Sequence, residues 1–287
     1  MVKKFLAVMA GILLLAPGMA AGAEAPGNGV YGRGPEKFSL ATGSPGELGL
    51  VQALAAGFDQ AMAGKITLTW IKAGSGESLK LLKDKKVDLI MVHAPAAEKL
   101  AVQEGWATGR TLIGSNEFFV VGPAGDPAKI ADAKGALDVY RRIAAAPAKF
   151  FSRGDNSGTH KKELHLWKEA GIQPEGDWYI VTRDFMIATL KRADREQGYF
   201  MVDSSTWVAE NKAAPNLKVL YRGDKLLVNT YYALAQPAGA TPGAALAAKF
   251  IAFVASPQGQ QIIKDYGKDR YGEGLYNDAA YARHYDN

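Results

Sequence analysis

The chain has 287 residues, 48% of them hydrophobic and 22% charged, with 34 Lys+Arg against 29 Asp+Glu and no cysteine. That balance is that of a globular chain long enough to bury a large core, not of a disordered or collagen-like one. Without cysteine there can be no disulfide scaffold, thiolate metal site, iron–sulfur cluster or thiol nucleophile.

The first predicted element is an export signal. Lys3 and Lys4 precede an apolar run over 5–15, Pro17 and Gly18 end it, and Ala21-Gly22-Ala23 reads as a cleavage site. The run is shorter than the ~20 residues of a membrane span. Residues 1–23 are therefore assigned to a cleaved signal peptide, which places the product in the periplasm. A lipoprotein is not expected, because its acylated cysteine is missing. Cleavage also removes two of the charges behind the formal net of +5. The remaining basic residues are scattered, so no nucleic-acid partner is expected. Residues 24–35 are rich in Gly and Pro and read as a flexible leader.

Strand and helix patterns alternate from there on. Strands are predicted at 38–41, 66–72, 87–92 and 117–121. A helix over 46–62 puts Leu48, Val51, Leu54, Ala55 and Phe58 on one face, and shorter helices fall at 77–83 and 98–103. The middle repeats the alternation: helix 131–145, strand 150–152, helix 160–170, strand 180–181, helix 185–195, strand 199–202, helix 206–212. Strands at 218–221 and 228–235 and helices at 244–255 and 258–266 close the chain. The pattern predicts an α/β fold with mainly parallel sheets flanked by helices. Its length suits two lobes better than one sheet. Residues 36–120 are expected to begin lobe 1, 121–230 to form lobe 2 and 231–287 to complete lobe 1.

The junctions between strands and helices are rich in small hydroxyl residues. The first is Ala41-Thr42-Gly43-Ser44-Pro45-Gly46-Glu47, where Ser44 suits an N-cap, Pro45 the first helical position and Glu47 the third. The second is Gly74-Ser75-Gly76-Glu77. The third packs Ser152-Arg153-Gly154-Asp155-Asn156-Ser157-Gly158-Thr159-His160 into one loop. Thr182-Arg183-Asp184 and Asp203-Ser204-Ser205-Thr206 complete the set. Each leaves unpaired backbone N–H groups at the positive end of a helix dipole, which favours an anion. In open α/β sheets such junctions gather where ligands bind. One Arg with its fork of donors would complete an oxyanion site, and Arg153 is the best placed. A single Ser before a helix is ordinarily just a cap; the third junction carries more polarity than capping needs.

Enzyme signatures are missing. No Gly-x-Ser-x-Gly surrounds Ser157, no H-E-x-x-H or Walker A motif occurs, and His160 and His165 do not share a helix face. His93 follows an apolar strand and suits a structural or a site role equally.

These motifs resemble the tungstate-binding proteins of bacterial ABC importers, within the type II periplasmic binding proteins. The resemblance rests chiefly on S-R-G-D-N-S-G-T-H at 152–160, with Lys162-Glu163, Leu166-Trp167 and Ala170-Gly171-Ile172 after it. The run from Asp88 to Pro95 (DLIMVHAP), that from Asn116 to Pro123 (NEFFVVGP), Trp178-Tyr179 and Tyr231 add to it. It implies two α/β lobes joined by crossover strands near 118–122 and 228–235, with the ligand between them. It also implies an oxyanion, tungstate or molybdate, held by Thr42, Gly43, Ser44, Ser75, Arg153, Ser157, Gly158 and Thr159. No cofactor, metal or catalysis is implied; the partner would be an inner-membrane ABC permease, and the protein a monomer. The chain departs from the family pattern at Gly43, at 182–187 and at 203–206. Arg183, Ser204 and Ser205 are expected to bind the ligand there, Arg183 in place of a missing positive charge, with Phe185 and Ile187 altering the cleft volume. The departures leave open a different anion, such as a small organic carboxylate. A sensory role at a receptor is open as well.

Overall fold

A computed structural model describes residues 28–286 except Pro147. The signal-peptide assignment lies outside the described residues. In chain order the elements are β1 (Asn28–Gly32), β2 (Glu36–Thr42), α1 (Ser44–Glu47), α2 (Leu50–Ala61), β3 (Ile66–Lys72), α3 (Ser75–Lys83), β4 (Leu89–Val92), α4 (Pro95–Gln103) and β5 (Thr108–Pro123). Then follow α5 (Ala136–Ala145), β6 (Phe150–Ser152), α6 (Gly158–Glu169), β7 (Tyr179–Val181), α7 (Met186–Glu196), β8 (Tyr199–Asp203), α8 (Ser204–Glu210), β9 (Leu217–Tyr221), β10 (Val228–Ala235), α9 (Ala244–Ala255) and α10 (Pro257–Asp265).

The strands form two half-sheets that share β5. In the first the order is β1-β3-β2-β4-β10-β5; in the second, β5-β8-β6-β7, with β9 also on β5. The inner strands β2, β3 and β4 are parallel, as are β6, β7 and β8. The sheets are more mixed than the alternation predicted, because β10 and β5 run antiparallel to every neighbour they have. β5 is 16 residues long, against the five expected. Up to Glu117 it pairs with β10, and from Phe118 it pairs with β8. Its first half carries Thr, Gly, Arg and Ser, which is why hydrophobic patterning missed it.

Two other differences have local causes. The expected leader contains β1, an edge strand antiparallel to β3. Its glycines permit close approach: a Cβ on Gly34 would lie 1.8 Å from the Lys65 carbonyl carbon. The expected helix over 46–62 is broken at Gly49, whose φ of +90° places it in the left-handed region. α1 is thereby separated from α2 and turned into the cleft.

Each lobe packs helices on both sheet faces. In lobe 1, Phe38, Phe58 and Phe250 cluster with ring centroids 5.3–6.0 Å apart under α2 and α9. The opposite face buries Leu79, Leu82, Ile90, Val92 and Leu234. In lobe 2 the alternation of β6 sends Phe150 to Tyr140 and Trp167, and Phe151 to Leu190 and Phe200. These cores fix the parallel strands so that their carboxyl ends face one another across the inter-lobe cleft.

Candidate functional site

Four helix starts meet in the cleft: Gly43-Ser44 at α1, Gly74-Ser75 at α3, Ser157 at α6 and Phe185-Met186 at α7. With Met91, His93, Arg153 and Tyr231 they line a cavity of about 10 Å³. That is room for about one water, so the cleft is nearly shut in this structure. The two walls are in close contact. A Cβ on Gly74 would lie 3.2 Å from the Ser157 Cβ, and one on Gly76 would lie 2.6 Å from the Asn156 carbonyl oxygen.

Arg153 supplies the charge. It is only 5% exposed, directly after β6. Its guanidinium donates to Asp155 at 2.5 Å and, more weakly, from Nε to the Asp184 carbonyl at 3.4 Å. The Phe185 ring lies 5.6 Å away. Asp155 also accepts from the Ser157 amide at 3.2 Å, so one carboxylate braces both the arginine and the α6 loop. Lys72 Nζ lies 4.5 Å from the centre of the same ring and pairs with Glu47 at 2.6 Å.

The hydroxyls divide by what they already do. Ser75 Oγ accepts from the His93 amide at 3.3 Å, and Ser157 Oγ accepts from the His160 amide at 3.3 Å as the N-cap of α6. Both keep an O–H proton to donate into the cavity. Thr42 lines the cavity but its hydroxyl donates to the Met91 carbonyl at 2.7 Å. Ser44 does not cap α1; Gly43 holds that position, and Ser44 Oγ points across the cleft to Asp203 at 3.5 Å. Glu47, expected to complete a capping box, pairs with Lys72 instead.

Gly158 and Thr159 are buried in the first turn of α6, behind the wall rather than on it. Three expected residues lie elsewhere. Arg183 is exposed and outside the cavity. Ser204 Oγ accepts from the Glu117 amide at 3.3 Å. Ser205 is fully buried, bonded to Asp203 and, at 2.8 Å, to Asn116. A hydroxyl at a helix start satisfies the sequence pattern whichever way it points, and α8 turns its own inward. Ile187 is also off the wall, whereas Phe185 and Met186 are on it.

Sequence reasoning passed over Met91 and left His93 undecided. His93 is neutral: burial, with Arg153 nearby, lowers its pKa to about 4 despite the bond to Asn229. In the core of lobe 2, burial pushes Glu163 up to about 7; it accepts from Tyr179 at 2.6 Å and Trp167 at 3.1 Å.

Two α/β lobes on a pair of crossover strands, with helix starts converging on a small cleft, define a type II periplasmic binding protein. The chain belongs to the PBP superfamily domain family, whose model matches residues 29–258. It is 34% identical over 287 residues to the tungstate-binding protein TupA of Peptoclostridium acidaminophilum, covering 96% of this chain and 98% of that one. Among solved structures, the tungstate ABC transporter protein from Geobacter sulfurreducens has a TM-score of 0.73 at 35% identity, covering 82% of this chain and all of that one. The tungstate-binding protein TupA from Desulfovibrio alaskensis G20 has a TM-score of 0.70 at 36% identity, covering 84% and 98%.

Proposed function

We propose that this chain captures tungstate, or the similar molybdate ion, in the periplasm and delivers it to an inner-membrane ABC importer. The observation that carries this is the composition of the cavity wall. A buried Arg153 and the hydroxyls of Ser75 and Ser157 stand at the starts of α3 and α6 around one small cavity. Such donors recognise oxygens already bound to a central atom, and their charge-assisted hydrogen bonds gain strength as the lobes exclude water. Binding is by lobe closure about β5 and β10, with no bond made or broken, and the protein acts as a monomer. The tungstate-binding relatives above support the choice of ion. An organic carboxylate gripped by Arg183 finds no support, since that side chain is exposed and off the wall.

A thermal-shift panel on residues 24–287 tests this reading. A ligand at 100 times its Kd adds about 2.7 kcal/mol of stability, a readily visible rise in melting temperature. Tungstate and molybdate should give that rise, and acetate, succinate and citrate none. A rise with an organic acid but with neither metal oxyanion would overturn the assignment.

A further inference from the structure

The two crossover strands face each other at Asn116 of β5 and Asn229 of β10, which are register partners. Both side chains are buried, and with neighbours they form one continuous chain of hydrogen bonds from lobe 2 to the cleft wall of lobe 1. Its polarity can be worked out from one end. The Thr206 amide can only donate, so Asp203 Oδ1, 2.9 Å away, accepts. Asp203 also accepts from Thr206 Oγ1 at 2.8 Å and from the Ser205 hydroxyl. Asn116 therefore turns its Nδ2 to Asp203, at 3.2 Å. That leaves Asn116 Oδ1 to accept from Asn229 Nδ2 at 2.8 Å. Asn229 Oδ1 then meets His93 Nδ1 at 2.7 Å with only lone pairs to offer, so Nδ1 carries the proton. An acidic side chain in lobe 2 thus sets the tautomer of a histidine in lobe 1.

The ring so held is also a contact surface. Tyr231 packs on it with centroids 4.8 Å apart, and Phe118 lies at 6.2 Å. The face of the ring, over Nδ1, Cε1 and Nε2, lies against Gly158, the first residue of α6, where an added Cβ would come within 2.4–2.5 Å of all three atoms. Gly158 follows Ser157 directly, so the height at which α6 rests on this ring sets how far Ser157 and Arg153 advance into the cavity.

We propose that His93 is a positioning residue, the seat on which the start of α6 comes to rest when the lobes close. The Asn229–Asn116–Asp203 chain holds it in place and in one tautomer. The inference rests on the small-anion reading only for its ligand-binding readout. Gly158 has no positive φ, so alanine there strains no backbone and raises helix propensity. What alanine changes is the contact with His93.

The test compares wild type, Gly158→Ala and Gly158→Ala with His93→Ala. The chain lacks cysteine, so spin labels at Gln52→Cys in lobe 1 and Glu169→Cys in lobe 2, both exposed, report the inter-lobe distance by pulsed electron resonance. Tungstate affinity is measured by calorimetry. Gly158→Ala should keep the longer distance and weaken tungstate by about 30-fold or more. Removing the His93 ring as well should restore closure and recover about tenfold of the loss. A Gly158→Ala protein that closes and binds as wild type does, or a double variant no better than it, overturns the seat. An imidazole ¹⁵N spectrum should find His93 protonated at Nδ1; protonation at Nε2 refutes the relay. Should wild type bind no tungstate, the anion reading fails separately. The seat then stands or falls on whether Gly158→Ala depletes the shortest distances in ligand-free protein.

Discussion

Replacing Arg153 by alanine is the most direct test of how the cleft holds its ion. The side chain is 5% exposed, and one edge of its guanidinium is committed to Asp155 at 2.5 Å. Nε donates to the Asp184 carbonyl at 3.4 Å, and the side chain lines the cavity together with Ser75 and Ser157. Truncating one partner of a buried, hydrogen-bonded charge pair costs about 2–5 kcal/mol. Here the upper part of that range applies, because the substitution also leaves Asp155 beside the cavity without its cation. A loss of about 3–5 kcal/mol is roughly a 100- to 4000-fold weaker Kd.

The assay is calorimetric titration of residues 24–287 with tungstate, with urea unfolding to establish that each variant folds. Lysine at 153 should fall between wild type and alanine. It restores a positive charge but not the fork that spans Asp155 and a ligand oxygen at once. Asp155→Asn combined with Arg153→Ala should bind better than Arg153→Ala alone, because the stranded carboxylate is gone. An Arg153→Ala protein that folds and binds tungstate within threefold of wild type would refute the reasoning, since no other cationic side chain lines the cavity among the described residues.

Three further outcomes follow from the same geometry. Arg183→Ala should leave tungstate affinity within threefold by the same titration, because Arg183 is exposed and off the cavity wall. Glu163, raised to about 7 by burial, binds a proton in the folded state between about pH 4.5 and 7 that the unfolded chain has released. Its contribution to stability is therefore lost as pH rises through that window, by up to about 3 kcal/mol, and urea unfolding of Glu163→Gln should lack this fall. His93, lowered to about 4, acts with the opposite sign. The unfolded chain binds its proton first, so stability falls as pH drops from about 6.5 to 4, by up to about 3 kcal/mol, and His93→Gln should flatten urea-unfolding profiles over that range.

Much of the cavity wall was legible because one physical rule governs it. A parallel strand that ends in Gly or Ser and feeds a helix exposes unpaired amides at the cleft, and this pattern alone picks out Gly43-Ser44, Gly74-Ser75 and Arg153–Ser157. Pattern could not say where each hydroxyl is spent. Ser75 and Ser157 accept from amides and keep a proton to donate; Thr42 gives its proton to Met91, and Ser205 is turned into the hinge. All four look alike in sequence, because hydroxyl orientation is decided by which acceptor the packed neighbour presents. Arg183 lies off the wall for a related reason: its residue type suits an anion, but the turn at 182–184 leaves it in solvent. The fold shows the same division. β3, β6, β10 and α9 fall where their apolar patterns end, whereas half of β5 was invisible because a hinge strand is not a core strand. Asn116 and Asn229 are the reason the hinge can be polar. Two buried amides in mid-strand would be costly anywhere their four hydrogen-bonding groups were not paired. Here they are matched head to tail between Asp203 and His93. Periodicity treats such residues as interruptions of a strand, yet they link Asp203 of β8 to His93 in the wall of the cleft.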